Sequence, residues 1–229
     1  MTKPGRINKR RIAKENRKKE RDNQRKEKIE RSIKIGYWNT NGVRGTQKLE
    51  TVSDIISNGE LDIISLDETH LREGNNIDLQ MMEDHEIITQ ERRYGEKQGG
   101  GRMIVIKKNL NYMFWEPVTD QECRVSKERA WILIHENNSR VALCFIYCAA
   151  EVTNNDEYKV WNAELYGMLG REVITIRERG YTVITLGDMN AHIGNGQEGI
   201  TGNKPGINSN GRMFLQHIET NQMHIVNRV

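Results

Sequence analysis

The sequence is poor in cysteine, in long apolar runs and, over its first 32 residues, in apolar side chains of any kind. Its three cysteines, Cys123, Cys144 and Cys148, are an odd number without metal-ligand spacing. That argues against a disulfide framework and for a reduced, intracellular protein. Cys144 and Cys148 sit in an apolar run, where a thiol behaves as a small hydrophobe. The longest such run, Val141–Ala150, is too short to span a bilayer, which needs about 20 residues. The N-terminus is charged throughout and carries no secretory signal pattern. Hydrophobic residues still make up 36% of the 229 positions, enough for a sizeable core in one domain of ordinary size.

Charge is present but uneven. Residues 1–33 hold 14 Lys and Arg against 5 Asp and Glu, whereas the rest holds 21 against 27. A segment this polar cannot offset the entropy of joining a core. Residues 1–32 therefore read as a basic arm, disordered or a solvated helix. It is either a solubilising tail or a phosphate-binding and nuclear-targeting stretch, with Lys9, Arg10, Arg11, Lys18 and Lys19 as the candidate contacts.

The body begins at Ile33. "IKIGYW" predicts a first strand, and Thr46–Ser57 spaces Leu49, Val52, Ile55 and Ile56 as an amphipathic helix does. Asn58-Gly59 stops that helix. "LDIISLDET" predicts a strand running into a polar loop, and "GGGRMIVIKK" a turn into a strand. Its glycines, Gly99, Gly100 and Gly101, together with Gly42, would allow a sharp turn or a close approach of backbone to ligand. Ala130–Glu136 and Arg140–Ala149 flank a hairpin turn. Asp156–Arg179 is a long helix ended by Gly180, with Gly170 a weak point within it. "YTVITLGD" is the next strand, Ser209–Gln222 a helix, and "MHIVN" the start of another strand. There is no internal repeat. Hairpins mixed with strand–helix–strand units favour an α/β sandwich of two sheets flanked by helices.

Four strands end alike. One closes on Asn39 and Asn41, one on Asp67, Glu68 and His70, one on Tyr147, and one on Asp188, Asn190 and His192. A single polar residue after a strand is an ordinary turn former. Repetition over four strands points to a site beyond the strand ends. Carboxylates and carboxamides are hard oxygen donors, suited to Mg²⁺ or Mn²⁺ rather than zinc. With a carboxylate and an amide to position water, such a set suits phosphodiester cleavage.

In this order, "WNTNG", "DETH", "IYC" and "GDMNAH" resemble the endonuclease/exonuclease/phosphatase superfamily, which includes apurinic/apyrimidinic endonucleases. "GDMNAHIG" and "NSNGRMFLQHIETNQMHIVN" are most similar to endonuclease domains of LINE-type (non-LTR) retrotransposons. The resemblance covers about residues 33–229 and implies a DNase-like four-layer fold and Mg²⁺-dependent (or Mn²⁺-dependent) cleavage of DNA. It implies that Asn39 lies near the metal, that Glu68 binds it, and that Tyr147 contacts or orients the scissile phosphate. It further implies that Asp188 positions the attacking water and Asn190 supports the transition state, both being counted with the metal-site residues. Asn41, Arg44 and His192 are weaker nucleic-acid contacts. DNA is the implied partner, in the nucleus. No membrane and no obligate protein partner are expected.

The sequence departs from the family in three places. Asp67 stands where a Gln is common, and is expected to add negative charge beside the metal. Ala149 stands where a Pro is common, so that loop is expected to sit differently. The family's later Ser-Asp-His motif does not occur in these 229 residues. The domain is therefore expected to be incomplete at its C-terminus, lacking its last strands, and weak or inactive. His217 and His224 do not follow a Ser-Asp and are not assigned that role. Two other readings remain: a non-catalytic nucleic-acid-binding fragment, and a phosphatase or phosphodiesterase acting on small or lipid phosphoesters.

Overall fold

The computed structural model describes residues 14–19, 32–43, 46–71, 84–90, 100–117, 125–136, 138–152, 156–194 and 206–226. The chain divides into two compact units, Met1–Lys34 and Ile35–Val229. In the first, residues 14–19 form a short helix, α1, with every residue exposed, Lys18 and Lys19 included. Lys9, Arg10 and Arg11 lie outside the described residues, as do Arg44, Gly99 and Cys123.

The second unit is built on two four-stranded mixed sheets. The first has the order β1-β2-β4-β3, from β1 (Ile35–Asn39), β2 (Ile63–Asp67), β3 (His85–Gln90) and β4 (Arg102–Lys107). The second has the order β5-β6-β7-β8, from β5 (Tyr112–Trp115), β6 (Arg129–Glu136), β7 (Ser139–Tyr147) and β8 (Thr182–Asp188). Helix α2 (Thr46–Ser57) connects β1 to its parallel neighbour β2. Helix α3 (Glu157–Glu178) does the same for β7 and β8. The remaining pairs are antiparallel. Helix α4 (Ser209–Thr220) follows β8 and packs on α3. This is the α/β two-sheet sandwich read from the sequence.

Two apolar clusters hold it together. Val52 and Ile56 of α2 pack on Ile64, Leu66, Met103 and Val105 of the first sheet. Leu165, Leu169, Val173 and Ile176 of α3 pack on Trp131, Leu133, Cys144 and Ile146 of the second. Alternation along the strands turns the other residues, among them Ile63, Ile104, Ile132 and Phe145, to the opposite faces, where they too are buried. Glu172 on α3 is buried and accepts hydrogen bonds from Arg129 Nε and Trp131 Nε1, the latter at 2.7 Å. That fixes the helix against its sheet.

Several expectations are corrected. The stretch from Met223 to Val226 is not a strand. It has no partner strand among the described residues, and alternation alone does not make one. Strands β3 and β5 were not legible: "HEIITQ" and "YMFW" are short and lack a clean alternating period. Gly100 and Gly101 do more than start a strand. Their carbonyls accept the backbone N–H of His70 (2.8 Å) and Thr69 (3.2 Å), which ties them to the loop after β2.

Candidate active site

The two parallel pairs finish on the same kind of residue. In β1 and β2, Asn39 is the register partner of Asp67, with Glu68 next in the chain. In β7 and β8, Tyr147 is the register partner of Asp188. Two side-chain hydrogen bonds join these ends across the sheets. Asn39 Nδ2 donates to Asp188 Oδ2 at 3.1 Å, and Tyr147 OH donates to Glu68 Oε1 at 2.6 Å. Asn39, Asp188, Tyr147, Glu68 and Asp67 thus close a ring made of two register pairs, two hydrogen bonds and the Asp67–Glu68 chain link. Asn190 sits beside it, its N–H donating to Asp188 Oδ1 at 2.9 Å.

Backbone strain concentrates here. Asn41, Glu68, His70 and Asn190 all adopt positive φ, 45°, 53°, 54° and 43° respectively. Non-glycine residues are uncommon in that region and persist where surrounding bonds hold them. Gly187, just before Asp188, has φ 153°, and a Cβ there would lie 1.8 Å from the Ile146 carbonyl oxygen. Only glycine fits so close an approach.

The end of the first sheet is held by charge. Arg102 lies directly across from Asp67 on β4 and forks onto its carboxylate, Nε to Oδ1 at 2.5 Å and Nη2 to Oδ2 at 2.9 Å. Tyr37 OH adds a third donor at 3.0 Å. Both members of the pair are buried. Burial opposes the charge on Arg102, but Asp67 outweighs it, and the guanidinium pKa rises. Burial, and then Asp67, push the Tyr37 phenol up, so it stays a donor. The negative charge expected from Asp67 is therefore neutralised within the sheet and is not added to the site. Lys48 of α2 ties down the preceding loop, donating to the Thr40 carbonyl and, at 3.0 Å, to that of Gly42.

The end of the second sheet is held by amides. Asn190 Nδ2 donates to the Cys148 carbonyl at 2.8 Å. Buried Asn162 both accepts from Ala149 N–H and donates to Ala149 C=O, each at 2.9 Å. A proline at 149 has no N–H to offer, so Ala149 and Asn162 fit one another. Asn210 donates to Ala149 C=O at 2.9 Å and to Asn190 C=O at 3.3 Å, while its own Oδ1 accepts from Asn162. Asn208 caps α4, accepting from Gly211 N–H at 2.7 Å, and also accepts from His192 N–H at 2.9 Å.

The structure thus brings Asn39, Glu68, Tyr147, Asp188 and Asn190 together. Tyr147 is placed to orient Glu68. Asn41 is exposed, its N–H donating to Asn39 Oδ1 at 3.2 Å. His192 is also exposed, and it is its backbone that is engaged, with Asn208. His217 is buried and packs against the Tyr166 ring, away from any catalytic role. Burial pushes the Cys148 thiol up to about 12, so it is neither nucleophile nor metal ligand near neutral pH. The sequence reading missed Tyr37, Arg102, Lys48, Asn162, Asn208 and Asn210. A charged residue opening an apolar strand flags Arg102. Asn162 was equally legible as an amide amid the buried positions of a helix.

A hard divalent cation fits this donor set. Among the described residues no group of three or more His, Cys, Asp and Glu gathers to hold a metal. The carboxylate and carboxamide oxygens of Glu68, Asp188, Asn39 and Asn190 are hard donors of the kind Mg²⁺ accepts, completed by water and substrate phosphate. Glu68 and Asn39 bring oxygen donors to the β1–β2 end, with Tyr147 OH donating to Glu68 Oε1 and Asn41 N–H to Asn39 Oδ1.

The sequence model of the "Endonuclease/Exonuclease/phosphatase family" matches residues 36–211. No curated protein sequence matches the chain. Among solved structures, the chain resembles the 3′ phosphatase NExo from Neisseria bound to product DNA hairpin, at TM-score 0.57 and 18% identity. That likeness covers 82% of this chain and 71% of that one. The catalytic domain of Xenopus laevis APE2 is similar at TM-score 0.59 and 18% identity, over 80% of this chain and 67% of that one. The endonuclease domain of TRAS1, a telomere-specific non-LTR retrotransposon, is similar at TM-score 0.54 and 12% identity, over 86% and 76%. At these identities the likenesses show a shared fold.

Proposed function

The chain belongs to the endonuclease/exonuclease/phosphatase family, and from that premise we propose that it hydrolyses phosphodiester bonds of DNA with the help of Mg²⁺ or Mn²⁺. The observation that carries this reading is the closed ring of Asn39, Asp188, Tyr147, Glu68 and Asp67 across the two sheets. A neighbour of the same fold bound to product DNA supports DNA as the substrate class, and the likeness to the TRAS1 endonuclease domain supports a retrotransposon origin. The basic residues 1–33 support DNA binding and a nuclear location.

In this mechanism Glu68 and Asn39 would hold the cation. When bound, the ion supplies charge stabilisation at a phosphoryl oxygen. Asp188, oriented by Asn39 Nδ2 and Asn190 N–H, uses its remaining acceptor capacity to hold and align the attacking water. Asn190 has its side-chain amide fixed by the Cys148 carbonyl. Tyr147 keeps Glu68 in place by donating its phenol O–H to Oε1.

Nicking of supercoiled plasmid tests the reading. Nicking should require Mg²⁺ and stop in EDTA. Glu68→Gln or Asp188→Asn should lower it by about a hundredfold or more, the usual cost of losing a positioned charge. Equal nicking in EDTA would contradict the metal mechanism.

A further inference from the structure

We propose that the buried Asp67–Arg102 pair, with Tyr37, is a positioning device for the adjoining Glu68. The idea rests on the reading of Glu68 as a cation ligand. It goes beyond that reading by assigning a task to residues that touch neither ion nor substrate.

Glu68 holds a left-handed backbone at φ 53° without being glycine. Something must fix that conformation, because the extended alternative is sterically easier. One short segment, Gly100 to Arg102, grips the chain on both sides of it. Before Glu68, the Arg102 fork takes both carboxylate oxygens of Asp67. After Glu68, the Gly101 carbonyl takes Thr69 N–H and the Gly100 carbonyl takes His70 N–H. From the other side, Thr40 N–H and Oγ1 donate to the Asp67 carbonyl, and Gly42 N–H donates to that of Glu68 at 2.6 Å. Tyr37, two residues before Asn39 on β1, completes the hold on the Asp67 carboxylate. The arrangement is planar and two-pronged, which an arginine supplies and a lysine does not.

Asn39, Asp67, Arg102 and Gln90 moreover stand in one register row across all four strands. A shift of Arg102 therefore passes sideways to both candidate ligand-bearing ends, Glu68 through the chain and Asn39 through its partner Asp67. Groups that orient metal ligands in this way affect affinity by roughly tenfold to a hundredfold when altered.

The test is Mn²⁺ affinity, read as the free-ion signal in electron paramagnetic resonance, with thermal midpoints measured alongside. Arg102→Lys keeps the charge and loses the fork. It should fold and bind Mn²⁺ roughly tenfold more weakly. Tyr37→Phe removes one donor and should weaken binding by a smaller factor, about threefold; it serves as the readout should Arg102→Lys fail to fold. Lys107→Met breaks a second ion pair, between β4 and the residue just before β2, Lys107 with Asp62 at 2.7 Å, and should leave Mn²⁺ affinity unchanged. Wild-type affinity in folded Arg102→Lys or, should that variant not fold, in Tyr37→Phe overturns the proposal and leaves the function intact. An equal loss in Lys107→Met also overturns it, since any ion pair would then serve. If the wild-type protein itself binds no Mn²⁺, the cation reading falls and this proposal with it.

Discussion

The two halves of the site solve one problem with different chemistry. Each parallel strand pair must end on polar residues held in a fixed direction, at the edge of a hydrophobic core. At the β1–β2 end the hold is ionic: Arg102 forks onto Asp67, and Tyr37 donates to the same carboxylate. At the β7–β8 end it is neutral: Asn162, Asn190, Asn208 and Asn210 satisfy backbone carbonyls and one another. An ion pair in a buried place is strong only while both partners remain, because each alone is an uncompensated charge. An amide network loses its members one bond at a time. The first end should therefore fail abruptly and the second gradually.

Asp67→Asn breaks the comparison hardest. It takes the paired carboxylate from the buried Arg102 guanidinium and should cost about 3–5 kcal/mol in chemical denaturation. Asn210→Ala is the counterpart on the other side. It removes the donor to the Ala149 and Asn190 carbonyls and the acceptor for Asn162, and should cost about 1–3 kcal/mol. Equal losses in the two variants would erase the distinction between ionic and amide ends.

A smaller effect is expected with pH. His217, on the α4 side of the second sheet, has its pKa lowered by burial. The folded state therefore binds fewer protons than the unfolded state in the range below the ordinary histidine pKa of about 6.5. Stability is then fully present above that value and declines as pH falls through it. The thermal midpoint should drop between about pH 7 and pH 5, and His217→Gln should flatten that slope. An unchanged slope would mean that other groups set it.

Much of this architecture was legible in the sequence because the period of apolar residues is a local signal. Helix α2 was read with both ends correct, and α3 to within a residue at each. The strand-end oxygen donors were legible too, because they recur after apolar runs. What escaped was non-local. Arg102 reads as a charged start to a strand until β2 places Asp67 across from it. Ala149 reads as a lost proline until Asn162, thirteen residues on, is seen to use its N–H. The hand-over from Tyr147 to Glu68 crosses between sheets and leaves no spacing in the chain to find.

The central claim is that the two halves serve one site, and a double-mutant cycle on DNA nicking addresses it most directly. Glu68→Gln takes a carboxylate from the first sheet, Asp188→Asn one from the second. Residues that act as a unit lose most of the rate with the first substitution. The account predicts that the double variant is scarcely slower than the worse single one. Multiplicative losses, or full activity in either single variant, would contradict it.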